Sequence, residues 1–170
     1  TARIAVDGHV DEVDWQRANP AEDFLQRDPD EGKQATEATE VRILFDDEAI
    51  YVGARMFDRD PSRISKRLTR RDGDTDGIAD WITVAFDSHH DHLTGAMFTV
   101  TAAGSLGDGV LFNDSGDDDT WDAVWDAAVS IDDKGWIAEM RIPFSQLRFP
   151  VADRQVWGMH AVRYLQRNNE

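Results

Sequence analysis

Hydrophobic and polar positions alternate with a period of two through most of this chain, and helical periodicity is almost absent. The clearest case is the stretch 121–144, W-D-A-V-W-D-A-A-V-S-I-D-D-K-G-W-I-A-E-M-R-I-P-F. Trp121, Ala123, Trp125, Ala127, Val129 and Ile131 fall on one parity, with Asp122, Asp126 and Ser130 on the other. A strand with one buried face requires this pattern, because successive side chains point to opposite faces. Asp132-Asp133-Lys134-Gly135 supplies turn chemistry, and Gly135 can take positive φ. Trp136, Ala138, Met140 and Ile142 then share a core face, while Glu139 and Arg141 point the other way. Pro143 ends the ladder because it has no N–H to donate. The stretch predicts an antiparallel hairpin.

The remaining segments follow the same logic. A short strand is expected at 4–6, and Asp11 or Asp14 caps a helical turn holding Trp15 and Ala18. Residues 19–40 are polar, with Pro20, Pro29 and Gly32, and read as a long loop with an edge segment. Val41, Ile43 and Phe45 share a strand face, Asp46-Asp47-Glu48 turns, and Ile50, Val52, Ala54 and Met56 face the core. A charged connection over 62–80 leads to a strand at 81–87 with Ile82, Val84 and Phe86 on one face. Strands at 96–101, 105–112 and 155–165 complete the set. Roughly nine or ten strands separated by turn signals predict an all-β fold, one antiparallel β-sandwich over 1–170 with short helical turns in its loops.

Composition adds charge. Acidic residues number 34 against 18 basic, a net charge of −16. That excess repels nucleic acid and anionic lipid, so neither is expected as a partner. It also supplies oxygen ligands for hard cations, chiefly Ca²⁺. Cysteine is absent, which removes disulfides, thiolate catalysis and Cys-type zinc sites. No apolar run approaches the ~18 residues of a membrane span. The opening Thr1-Ala2-Arg3, followed at once by strand-like residues, reads as a domain excised from a longer protein.

Candidate chemistry concentrates in a few places. Asp72-Gly73-Asp74-Thr75-Asp76-Gly77 fits D-x-D-x-D-G, the start of a calcium loop, and Asp80 falls at its ninth position. Asp72, Asp74, Asp76 and Asp80 are therefore the metal candidates. Thr83 stands at the twelfth position where an EF-hand has a bidentate Glu, so the loop is not an EF-hand. Trp81, Trp121, Trp125 and Trp157 are candidate sugar platforms, since aromatic faces stack on the C–H faces of pyranose rings. Parity puts Trp125 in the core, which leaves Trp81 and Trp121 as the platform candidates. Arg67, Arg70 and Arg71 precede the Asp loop; Arg70 and Arg71 can bond a ligand bidentately or neutralise Asp72 and Asp74. His89, His90 and His92 with Asp87 and Asp91 can hold a transition metal, but adjacent histidines diverge, so a polar hairpin tip is the expected reading. No nucleophile elbow, phosphate loop or H-E-x-x-H occurs, and a non-enzymatic role is expected.

Several stretches resemble the family 9 carbohydrate-binding modules and their superfamily. They are I-A-V-D-G-H-V-D-E-V-D-W at 4–15, L-F-D-D-E-A-I-Y-V-G-A-R-M-F-D at 44–58, D-W-I-T-V-A-F-D at 80–87 and G-W-I-A-E-M-R-I-P-F at 135–144. With L-T-R-R-D at 68–72, T-A-A-G-S-L-G-D-G at 101–109 and S-Q-L-R-F-P at 145–150, the chain also resembles the N-terminal domain of a bacterial family of unknown function. In that family the domain precedes a C-terminal outer-membrane-type β-barrel. The resemblance implies a β-sandwich that binds carbohydrate, holds Ca²⁺ in several relatives, and sits in the cell envelope on the periplasmic or surface side of the outer membrane. It also implies two alternatives: an interaction or gating domain for the barrel with no free sugar ligand, and a haem-binding domain using Met56, Met97, Met140, Met159 or His160. Sugar-binding relatives place a Trp shortly before the 80–87 strand and an acidic residue within it. Here Asp76-Gly77 and Thr83 stand at those places, with Trp81 inside the strand.

Overall fold

A computed structural model describes residues 4–73, 75, 77–113 and 116–170. Among them are nine strands: β1 (Thr39–Phe45), β2 (Ala49–Phe57), β3 (Trp81–Asp87), β4 (Gly95–Thr101), β5 (Leu106–Phe112), β6 (Gly116–Asp118), β7 (Asp126–Asp132), β8 (Gly135–Pro143) and β9 (Gly158–Tyr164). They form two antiparallel sheets, ordered β1-β2-β8-β7 and β6-β5-β4-β3-β9. The all-β sandwich expected from the alternation is the fold observed.

The core lies between the sheets. Val52, Ala54 and Met56 of β2 and Ala138, Met140 and Ile142 of β8 pack with Ile82, Val84 and Phe86 of β3 and Phe98 and Val100 of β4. Each Val, Ile, Phe or Met among them contributes about 1.5–3 kcal/mol when fully buried. The β7–β8 turn depends on Gly135, whose φ is 138° and whose missing Cβ would stand 2.0 Å from the Met56 carbonyl oxygen.

Four local expectations are corrected. Residues 4–6 form no strand. The segment 4–18 instead lies across the outer face of the β1-β2-β8-β7 sheet, where the backbone N–H groups of Asp7, Gly8 and His9 all donate to Glu139 Oε2. Donors that converge on one carboxylate are lost to a ladder. The helical turn is a 3-10 turn, Val13–Arg17, with Glu12 rather than Asp11 or Asp14 at its N-cap position. Residues 121–125 are not strand, because Asp108 takes the Ala123 N–H and Gln146 Oε1 takes the Val124 N–H. Finally, Glu139 is buried although its parity points it outward. The short β6 was not expected from Gly-Asp-Asp, a poor strand sequence.

These details leave one outer face roofed and the other open. Trp15 lies against Gly53, where an added Cβ would meet its ring at 3.0 Å, and packs with Ala49 and Tyr51 under Ile4 and Val10. The outer face of the five-stranded sheet carries a groove.

Candidate functional site

Alternation along β3 sends Ile82, Val84 and Phe86 inward and Trp81, Thr83, Ala85 and Asp87 outward. Register fixes their neighbours: Trp81 sits beside Tyr164 on β9, Thr83 beside Val162 and Thr99, and Ala85 beside His160 and Met97. Two adjoining cavities of about 390 and 670 Å³ share Arg27, Trp81, His160 and Val162, and so form one groove across this face. That size suits a small ligand. The loop through Phe24 and Arg27 walls one end, and Leu93 and Thr94 wall the other.

The groove's dominant feature is an aromatic pair. Trp81 and Tyr164 stack with ring centroids 5.4 Å apart and planes 20° apart. Both are half-buried, and the Trp81 indole N–H is enclosed without an acceptor. Beside them the Thr83 and Thr99 hydroxyls bond each other at 2.7 Å, which gives the floor a neutral polar spot. Gly109 lacks the Cβ that would collide with Met97 Cε at 2.7 Å, so Met97 can lie flat along the sheet.

An ionic network braces the end of the groove lined by Glu37 and Arg163. The Arg167 guanidinium donates to Asp58 Oδ2 at 2.5 Å and to Glu37 Oε1 at 3.0 Å. Arg163 donates to the carbonyls of Ala38 and Phe57 at 3.0 and 2.9 Å, which ties β9 to the other sheet. Asp80 Oδ1 accepts the Gln166 N–H at 2.9 Å, while its buried Oδ2 has no partner. Burial pushes the Asp80 carboxyl above its ordinary value, against that hydrogen bond and the charges of Arg163 and Arg167. Burial likewise pulls the Arg163 guanidinium down.

The predicted site residues separate. Trp81 lines the groove. Trp121 does not: it packs edge-on against core Phe98, centroids 6.1 Å apart. Trp125 is core, as its parity requires, and its indole donates to Asp108 Oδ1 at 3.2 Å. Trp157 packs among Phe86, Phe144 and Phe149. Arg70 is exposed. Arg71 is a structural clamp, donating to Asp108 and to the Ala123 carbonyl at 2.7 Å, with its Nε 3.6 Å from Asp72 Oδ2. Asp72 Oδ1 accepts the Asp108 N–H at 2.9 Å. Asp74 and Asp76 lie outside the described residues. Of the haem-ligand candidates, Met56 and Met140 are sealed in the core, while Met97, Met159 and His160 line the groove. Tyr164 and Arg27 were missed in the sequence, and His160 was singled out there only as a haem-ligand candidate. Only the pairing of β9 with β3 brings Tyr164 to Trp81, and the β9 sequence G-M-H-A-V-R-Y shows no clear apolar parity.

Fold and groove together define the class: an antiparallel β-sandwich module with an aromatic-lined cleft on one sheet. The chain belongs to the carbohydrate family 9 binding domain-like family, which it matches over residues 6–169. It is similar in fold to a family 9 carbohydrate-binding module of Caldicellulosiruptor kristjanssonii solved with cellotriose, at 16% identity and TM-score 0.63, covering 94% of this chain and 71% of that one. The same module solved with glucose gives 16% identity and TM-score 0.65, covering 94% and 73%. A candidate carbohydrate-binding protein of Bacteroides uniformis gives 12% identity and TM-score 0.67, covering 91% and 75%. Among curated protein sequences, none matches.

Proposed function

We propose that the domain is a non-catalytic carbohydrate-binding module whose sugar lies in the groove on the five-stranded sheet. The observation that carries this reading is the stacked Trp81–Tyr164 pair on the groove wall. An aromatic plane gives a pyranose ring its apolar contact, and nearby polar side chains give its hydroxyls partners. His160, Arg27 and the Thr83–Thr99 hydroxyl pair are at hand for that role. Family membership and the cellotriose and glucose complexes of the Caldicellulosiruptor module support the same ligand class. Binding by stacking and hydrogen bonds needs no bond-breaking step. Calorimetric titration with cellotriose and glucose tests the reading: saturable heat is expected, and its absence across gluco-oligosaccharides removes the sugar.

The reading includes a Ca²⁺ ion at the 72–80 loop. Its supports are the D-x-D-x-D-G pattern and the buried, unpartnered Asp80 Oδ2. Asp80 would be a ligand, with Asp72 engaged only if the ion competes with Arg71 for its carboxylate. An ion that binds only the folded state raises the melting temperature by mass action. A higher midpoint in Ca²⁺ than in chelator is expected, and equal midpoints exclude the ion.

A further inference from the structure

The turn between β3 and β4 gathers three metal-ligand side chains, of which Asp87 and His92 also line the Leu93–Thr94 end of the groove. A carboxylate oxygen of Asp87 and one ring nitrogen each of His90 and His92 lie within 4.8 Å of one another. The sequence sets His89 beside His90, but the turn brings His90 to His92 instead, with ring centroids 4.8 Å apart. Both histidines take left-handed backbone, with φ of 51° and 58°. Such conformations cost about 1 kcal/mol or more each for a residue other than glycine, and persist where the surroundings enforce them.

Two carboxylates do the enforcing. Asp87 Oδ1 accepts the Asp91 N–H at 3.2 Å and its Oδ2 the His92 N–H at 2.8 Å. Asp91 Oδ1 accepts the N–H groups of Leu93 and Thr94, and its Oδ2 the Thr94 hydroxyl, all at 2.8 Å. The tip is thus held by its own hydrogen bonds while the two imidazoles stay exposed. Across the ladder, Gly158 leaves Asp87 room, since a Cβ there would stand 3.2 Å from the Asp87 Cβ.

We propose that Asp87, His90 and His92 form a binding site for a divalent transition metal of the Zn²⁺ class. Imidazole and carboxylate donors suit Zn²⁺, whereas Ca²⁺ takes oxygen ligands. Tetrahedral Zn²⁺ with bonds of about 2.0–2.2 Å spaces its ligand atoms about 3.3 Å apart. The two exposed imidazoles must turn toward Asp87 to close from 4.8 Å to that spacing. Three protein ligands leave a fourth position for water or an incoming oxygen. The site stands on its own geometry and does not depend on the sugar reading.

The experiment is Zn²⁺ titration of the tag-free, chelator-stripped chain by calorimetry. One Zn²⁺ per chain is expected, undisturbed by excess Ca²⁺. His90→Ala and His92→Ala should each weaken it by about tenfold or more, the scale seen for lesser changes around metal sites. His89→Ala should leave it unchanged. Circular dichroism confirms that each variant is folded, as substitution at an exposed tip predicts. Absence of Zn²⁺ binding, full binding by the H90A/H92A double variant, or an equal loss in H89A overturns the proposal.

Discussion

Glu139 is the residue that departs furthest from its sequence environment. It stands between Ala138 and Met140 in a strand whose alternation points it at solvent, as it does Arg141. Yet it is fully buried. Its Oε2 accepts the N–H groups of Asp7, Gly8 and His9, and its Oε1 the Trp15 indole N–H at 3.2 Å. Burial pushes its carboxyl above the usual range, and the backbone N–H bonds pull the other way. These partners lie 124 to 132 residues away in the chain, so nothing local marks the position. Glu139→Ala leaves the Asp7 and Gly8 N–H groups without an acceptor, while the His9 N–H keeps Asp7 Oδ1 and the Trp15 indole N–H keeps Glu12 Oε2. Each unsatisfied buried donor costs about 1–3 kcal/mol, reduced where the 4–18 segment can detach and rehydrate. The expected loss is about 3 kcal/mol by urea unfolding, with faster amide exchange at residues 7–9. A loss within experimental error contradicts the anchoring role.

At the scale of elements, the β7–β8 hairpin was legible because its core face repeats without interruption from Trp136 to Ile142. Its first arm was legible only from Asp126 onward, since Asp108, a residue of another sheet, draws the backbone near Ala123 out of the ladder. The hairpin is braced across β8 by Arg55 of β2, which donates to both Asp132 oxygens at 2.8 and 2.7 Å. That bidentate bond holds the Asp132 carboxyl down to about 2, from an ordinary 3.8. A depressed carboxyl stabilises the fold when ionised. Its contribution is therefore present above the ordinary value and is lost as pH falls toward the folded one. Asp132 is 44% exposed, so solvent screening keeps the effect modest. Asp132→Asn should melt below the native chain at neutral pH, and the gap should close between pH about 4 and 2. A gap that stays constant through that range contradicts the brace.

For the molecule as a whole, the N-terminal segment distinguishes the two outer faces. It roofs one sheet, and the groove lies on the other. The sequence located half of the groove's aromatic pair: Trp81 is legible because it sits opposite the core parity of Ile82, Val84 and Phe86. Its partner Tyr164 comes from a strand 83 positions later, and that pairing is a property of the sheet. Trp121 had equal standing in the sequence, and only the three-dimensional packing on Phe98 separates the two. This separation makes the central claim measurable. Calorimetric titration with cellotriose should show binding by the native chain, weakened by about tenfold or more in Trp81→Ala, a change of ~1.4 kcal/mol. Trp121→Ala, though less stable, should keep the native affinity. Unchanged affinity in Trp81→Ala, or a loss confined to Trp121→Ala, contradicts a sugar site in this groove.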